Sequence, residues 1–148
     1  MRVIIQRSLE ASVSIDKKIV GQIDKGYVLL VGFTEGDNPD IIDKMINKII
    51  NLRIFSDADD KLNLSIKDID GSILSISQFT LYAKLNGRRP SFTKALNYVE
   101  ANELYNLFNE RLKKQGIVVK TGEFGANMKV SLINDGPVTI IIDSEEDF

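Results

Sequence analysis

Residues 27–33, Tyr-Val-Leu-Leu-Val-Gly-Phe, form a seven-residue run with no charged or amide side chain. A strand with one wet face alternates apolar and polar positions; an unbroken apolar run needs cover on both faces. This run is far too short to cross a bilayer, so it reads as a central strand of a covered sheet. The cover follows in the chain. "TEGDNPD" breaks the run, Asp37 or Asn38 caps a helix, and Pro39 suits its first turn. Ile41, Ile42, Met45, Ile46, Ile49 and Ile50 then form one apolar stripe on a helix reaching about Leu52. A second amphipathic helix is predicted over roughly 99–114, with Leu104, Phe108 and Leu112 four apart. Lys113 and Lys114 lie at its C-terminal end and Gly116 acts as a stop.

Short strands are predicted at 2–7, 12–15, 18–23, 72–77, 117–120, 128–134 and 138–143, with "DADDKLN" and "KLNGRRP" as loops. Strands, helix, strand, helix, strands is not the strict alternation of a doubly wound parallel sheet. It predicts an α+β fold, a mixed or mostly antiparallel sheet curled into a barrel-like core with two main helices. The 148 residues suit one domain, 1–148, and 43% hydrophobic with 27% charged residues is the balance of a soluble globular protein. The apolar stretch in "MRVIIQRS" is too short for a signal-peptide core and no small-residue cleavage site follows, so a cytoplasmic location is expected.

Cysteine and histidine are both absent. That removes thiolate nucleophiles, disulfides, the commonest general base and the commonest transition-metal ligand. Hydrolytic chemistry here would use carboxylates, hydroxyls, lysine, backbone amides or the substrate itself. A net charge of −2 supplies no global field for nucleic acid, so RNA binding would be local, through a few Lys and Arg on one face.

Two stretches stand out. "SQFTLYA" ends an apolar strand in Ser77, Gln78, Phe79 and Thr80 instead of turn formers. Its hydroxyls could satisfy strand-end backbone groups with Phe79 in the core. Alternatively, amides near Phe79 and Thr80 leave the ladder and hold a developing oxyanion, with Thr80 a candidate nucleophile that lacks a histidine and would need Lys84 or a substrate group. "NDGPVT" reads as a turn. Its Gly136–Pro137 bond can also be cis, which would aim the Gly136 and Pro137 carbonyls the same way as an acceptor pair. Arg88 and Arg89 suit either solvent or phosphate. Phe124 and Met128, beside glycines in "GEFGANMKV", pack or make an apolar slot for a base. Asp57, Asp59 and Asp60 read as a solvated loop.

Together these segments resemble the D-aminoacyl-tRNA deacylase family, of the D-tyrosyl-tRNA deacylase type. The likeness spans nearly the whole chain, through "MRVIIQR", "ASV", "LRIFSD", "LNLSI", "SQFTLYA", "GRRPSF" and "FGANMKVSLINDGPVTI". "SQFTL" and "NDGPVT", in this order and about fifty residues apart, are the specific pair; Lys84 departs from the family pattern, which has an acidic residue there. The resemblance implies a homodimer with active sites at the subunit interface, and hydrolysis of the ester between a D-amino acid and the terminal ribose of tRNA, with glycine also accepted. It implies no metal or cofactor, and no DNA or membrane partner. Ser77, Gln78, Phe79 and Thr80 would line the catalytic pocket of one subunit, and a cis Gly136–Pro137 would enter it from the other. Arg7 would brace that turn, and Phe124 and Met128 would lie near the terminal adenine. Two other readings stay open: a non-catalytic module that binds aminoacyl-tRNA or RNA ends, and a small-ester or amide hydrolase with Thr80 as nucleophile.

Overall fold

The computed structural model describes residues 1–148. Its spine is β1 (Arg2–Ile15), one strand of fourteen residues, where two short ones were predicted. A hairpin at Asp16 and Lys17, both with positive φ, returns the chain as β2 (Lys18–Ile23), paired antiparallel to the far half of β1. β3 (Gly26–Gly32) then continues along the near half, from Ser8↔Gly26 to Arg2↔Gly32. β6 (Ser72–Ser77) lies parallel to β3, and β7 (Val119–Thr121) parallel to β6. The apolar run at 27–33 thus occupies the middle of a mixed sheet, with Tyr27, Val28 and Leu29 fully buried.

β2 folds back over the other end of the sheet. A Cβ on Gly21 would stand 2.8 Å from the Thr121 carbonyl and 3.4 Å from Leu74. Glycine there lets β2 close on β7, and the sheet curls almost into a barrel.

β8 (Lys129–Asp143) runs along the opposite edge of β1 as a single strand. Two strands separated by a turn were predicted here. Both halves pair antiparallel with β1, through Leu132↔Ala11 and Asn134↔Ser8 on one side and Thr139↔Gln6 and Ile140↔Ile5 on the other. Residues 135–138 therefore stand opposite Arg7 alone, and the surplus chain bulges out of the ladder.

Two helices cover one face. α1 (Pro39–Asn51) is capped by Asn38, whose side chain accepts from the Ile41 amide at 3.1 Å, with Pro39 in the first turn. It buries Ile42, Met45, Ile46, Ile49 and Ile50, each contributing roughly 1.5–3 kcal/mol through removal from water. α2 (Tyr98–Lys113) begins one residue earlier than predicted because Asn97 caps it, accepting from the Glu100 amide at 3.0 Å. It buries Ala101, Tyr105, Phe108 and Leu112 in the same core. Three small elements were not predicted: the ribbon of β4 (Phe55–Ser56) and β5 (Leu62–Leu64), and the terminal α3 (Ser144–Asp147). In the loop of that ribbon Asp57 accepts from the Asp59 and Lys61 amides and the Asn63 side chain. β7 begins two residues later than predicted, with Ile117 buried in the core and Val118 exposed. No helix is long and apolar enough to cross a membrane.

Candidate active site

β6 brings the first wall. Its Ile73, Leu74, Ser75 and Ile76 are buried, and the ladder with β3 ends where the Gln78 amide donates to the Val31 carbonyl at 2.8 Å. The chain then tightens into a 3-10 turn, Phe79–Tyr82, in which Leu81 N–H donates to Gln78 O at 3.2 Å and Ala83 N–H to Thr80 O at 3.1 Å. The turn lies against Gly32, where a Cβ would come within 3.0 Å of Gln78 O and 3.2 Å of Leu81 Cβ. The amides of Phe79 and Thr80 come after the ladder with β3 and before the turn's own bonds. Arg2 clamps the far end of the turn: its Nη1 donates to Leu81 O at 2.6 Å and its guanidinium lies over the Tyr82 ring at 4.8 Å.

The opposing wall is the segment between β7 and β8. Phe124 meets Tyr98 edge-on at 5.0 Å and Tyr105 at 5.7 Å. Tyr105 in turn donates to the Ser75 carbonyl at 2.7 Å, so the wall is tied to β6. Burial pushes the Tyr105 phenol above its ordinary pKa and keeps it a neutral donor. Two glycines permit this packing. A Cβ on Gly125 would stand 2.7 Å from Tyr98 Cε2, and one on Gly122 would collide with Met128 Sδ. Between the walls is a mainly apolar cleft of about 540 Å³.

The structure therefore gathers Ser77, Gln78, Phe79, Phe124 and Met128 around one cleft. Thr80 stands outside its lining, exposed, and its hydroxyl accepts from the Gln78 side chain. Phe79 is 56% exposed and packs edge-on against Phe92 at 4.9 Å. Lys84 is half-buried and its backbone pairs with Ser91, while Arg88 and Arg89 are exposed. Tyr98, Leu96 and Ala101 complete the cleft and were missed by sequence reasoning. Gly125, whose missing side chain makes room for the Tyr98 ring, shows the link only once the fold brings the two together.

Gly136, Pro137 and Arg7 lie elsewhere, outside the lining of this cleft. The Gly136–Pro137 peptide is cis. Arg7, only 9% exposed, sits beneath the bulge: Nε donates to Asp135 O at 2.9 Å and Nη1 to Ile54 O at 2.9 Å. Asn134 spans the neck, donating to Thr139 Oγ1 at 2.9 Å and accepting from the Val138 amide at 3.2 Å. Gly136 has φ +125°, and a Cβ there would approach Arg7 Nη2 to 2.8 Å, so this position is built for glycine.

Comparison with known proteins bears on what such a cleft does. A family model described as D-Tyr-tRNA(Tyr) deacylase matches residues 4–143. A protein of Listeria monocytogenes serotype 4a named D-aminoacyl-tRNA deacylase is 52% identical over 147 residues, covering 99% of this chain and 97% of its own. One of the same name from Exiguobacterium sibiricum is 51% identical over 144 residues, covering 97% and 99%. A solved structure described as c-Myc DNA Unwinding Element Binding Protein superimposes with a TM-score of 0.92 at 38% identity, covering 97% of this chain and 98% of its own. Another, described as a probable eukaryotic D-amino acid tRNA deacylase, shares the fold with a TM-score of 0.83 at 17% identity, over 95% of this chain and 97% of its own.

Proposed function

Since the chain belongs to the D-Tyr-tRNA(Tyr) deacylase family, we propose that it hydrolyses the ester joining a D-amino acid to the terminal ribose of tRNA, releasing both. The observation that carries this reading is the cleft. A wall of Phe124 and Met128, suited to a nucleobase, faces a strand end that leaves the ladder at Gln78 and turns at Phe79 and Thr80. The base lies against Phe124 and Met128, and the ester carbonyl points at the Phe79 and Thr80 amides. These donate to the oxygen as it becomes negative, and one such donor is worth roughly 10²–10³ in rate. With no histidine or cysteine in the chain, the attacking group is water, assisted by the ribose 2′-hydroxyl. The Thr80 side chain is exposed and engaged by Gln78, which disfavours it as nucleophile.

Chirality is selected by main chain. The carbonyls of Gly136 and Pro137, braced from below by Arg7, accept from the α-amino group. With amino group and ester carbonyl both fixed, the third substituent of the α-carbon has one direction left. A D side chain points outward; an L side chain meets the wall. Nothing reads the D side chain itself, so many are tolerated, and glycyl-tRNA, with no side chain to reject, is also cleaved.

The turn reaches the cleft from a second copy of the chain. Two features support a homodimer: the Gly-Pro bulge is not part of its own chain's cleft, and β8, paired only with β1, exposes Ile133 (58%) and Ile141 (62%) along a long free edge. Such an edge calls for a partner. The setting of this work is the cytoplasm, where charged tRNA is used.

The test is release of free amino acid from D- and L-tyrosyl-tRNA. D-tyrosine is expected to be freed and L-tyrosine retained. Equal rates, or a stable D-ester, would overturn the reading; prolonged tight binding of an intact D-ester would favour a binding module instead.

A further inference from the structure

A second chamber adjoins the cleft. It is a polar groove of about 460 Å³ between α2 and the segment at 121–124, and Tyr98 and Phe124 line both spaces. Tyr98 is the ridge between them: 62% exposed, it packs on Phe124 and touches the Gly125 backbone side of the turn. From this ridge α2 presents Asn102, Asn106 and Asn109 to the groove, at a spacing that aligns them on one helix face.

Asn109, 6% exposed, is the buried member of this face, and its Oδ1 is closed to solvent. Asn102, half-buried, and Asn106, exposed, are the carboxamides that can meet a ligand in the groove. Two carboxamides and the Glu123 carboxylate beside an exposed aromatic ring are the equipment for an unstacked base: a ring to stack on, and donors and acceptors for its edge. Lys113, at the far end of the groove, is exposed and suits a phosphate.

We propose that this groove holds the nucleotide preceding the terminal adenosine of tRNA, the cytidine of the common 3′ end, with the strand passing over Tyr98. Cytosine fits the donor set through its amino group, which a carboxylate or carboxamide oxygen accepts. The proposal rests on the deacylase reading for the adenosine in the first chamber, but it is tested without turnover.

The experiment is a titration of the full chain, followed by NMR, with adenosine, adenosine 5′-monophosphate and the uncharged dinucleotide cytidylyl-adenosine. The dinucleotide is expected to bind about tenfold more tightly than adenosine, one stacked base's worth. Asn102→Ala combined with Asn106→Ala should abolish that gain while adenosine binds as before. Equal affinity for dinucleotide and adenosine, a monophosphate that matches the dinucleotide, or a gain that survives the double substitution would each overturn the proposal. If the dinucleotide preference holds while D-tyrosyl-tRNA stays intact, the deacylase reading fails and the groove stands.

Discussion

The cleft and the Gly-Pro bulge are held together in opposite ways. The cleft is assembled from distant segments: a strand end at 77–79, the start of α2, and the turn at 124–128, joined by ring packing and by the Tyr105–Ser75 bond. The bulge is held by its neighbours, Asn134 across the neck and Arg7 from the adjacent strand. One depends on how the barrel packs and the other on a few directional bonds to the backbone. They should fail separately, which can be tested.

Arg7→Ala should have the largest effect on stability. It leaves the Asp135 and Ile54 carbonyls without their donor, and about 3 kcal/mol is expected to be lost in urea denaturation. A loss under about 1 kcal/mol would mean that Asn134 alone holds the bulge. Gly125→Ala strikes the cleft instead. Its φ is +79° and the added Cβ would run into Tyr98, so about 1–2 kcal/mol of backbone cost is expected, with weakened adenosine binding. Adenosine affinity equal to that of the parent protein would show that the aromatic wall is not what binds the base.

The same contrast explains what could be read in advance. The central strand and α1 were legible because burial on two faces and a capped apolar stripe are written locally, in residues 27–33 and Asn38–Ile50. Phe124 and Met128 could be picked out because Gly122 and Gly125 lie close by, though packing and an apolar slot both remained open. The continuity of β8 was not, since Asn134, Asp135, Gly136 and Pro137 all favour turns and only pairing with Gln6 and Ser8 overrides them. Tyr98 escaped because a tyrosine at a helix start carries no signal until the facing turn is in place. β4 and β5, of two and three residues, are too short for any periodicity to register.

Two smaller effects sharpen the comparison. Arg2 links the regions, donating to Leu81 O beside the cleft and to Asp143, at the end of β8, at 2.7 Å. Burial pushes the Asp143 pKa up, but the Glu145 amide and Arg2 outweigh it and hold the carboxyl below the ordinary range. A depressed folded value stabilises the protein above the unfolded value of about 3.9 and is lost as the pH falls through the folded one. Asp143→Asn should therefore cost about 1 kcal/mol near neutral pH and flatten the acid limb of stability. An acid limb unchanged by the substitution would remove Asp143 from that role. Thr80→Ala should matter least: stability within about 0.5 kcal/mol and deacylation largely retained. Complete loss of turnover with D-substrate binding intact would restore Thr80 as nucleophile.

The claim that cleft and bulge are halves of one site, supplied by two copies, has a direct measurement. Phe124→Ala damages the cleft and Gly136→Ala the bulge, and each homodimer should be inactive. After the two are unfolded and refolded together, half the dimers are mixed and each mixed dimer has one site with both halves intact, so about a quarter of the parent deacylase activity should return. If both halves came from one chain, every site in the mixture would carry a damaged half, and activity no higher than that of the separate variants would contradict the account.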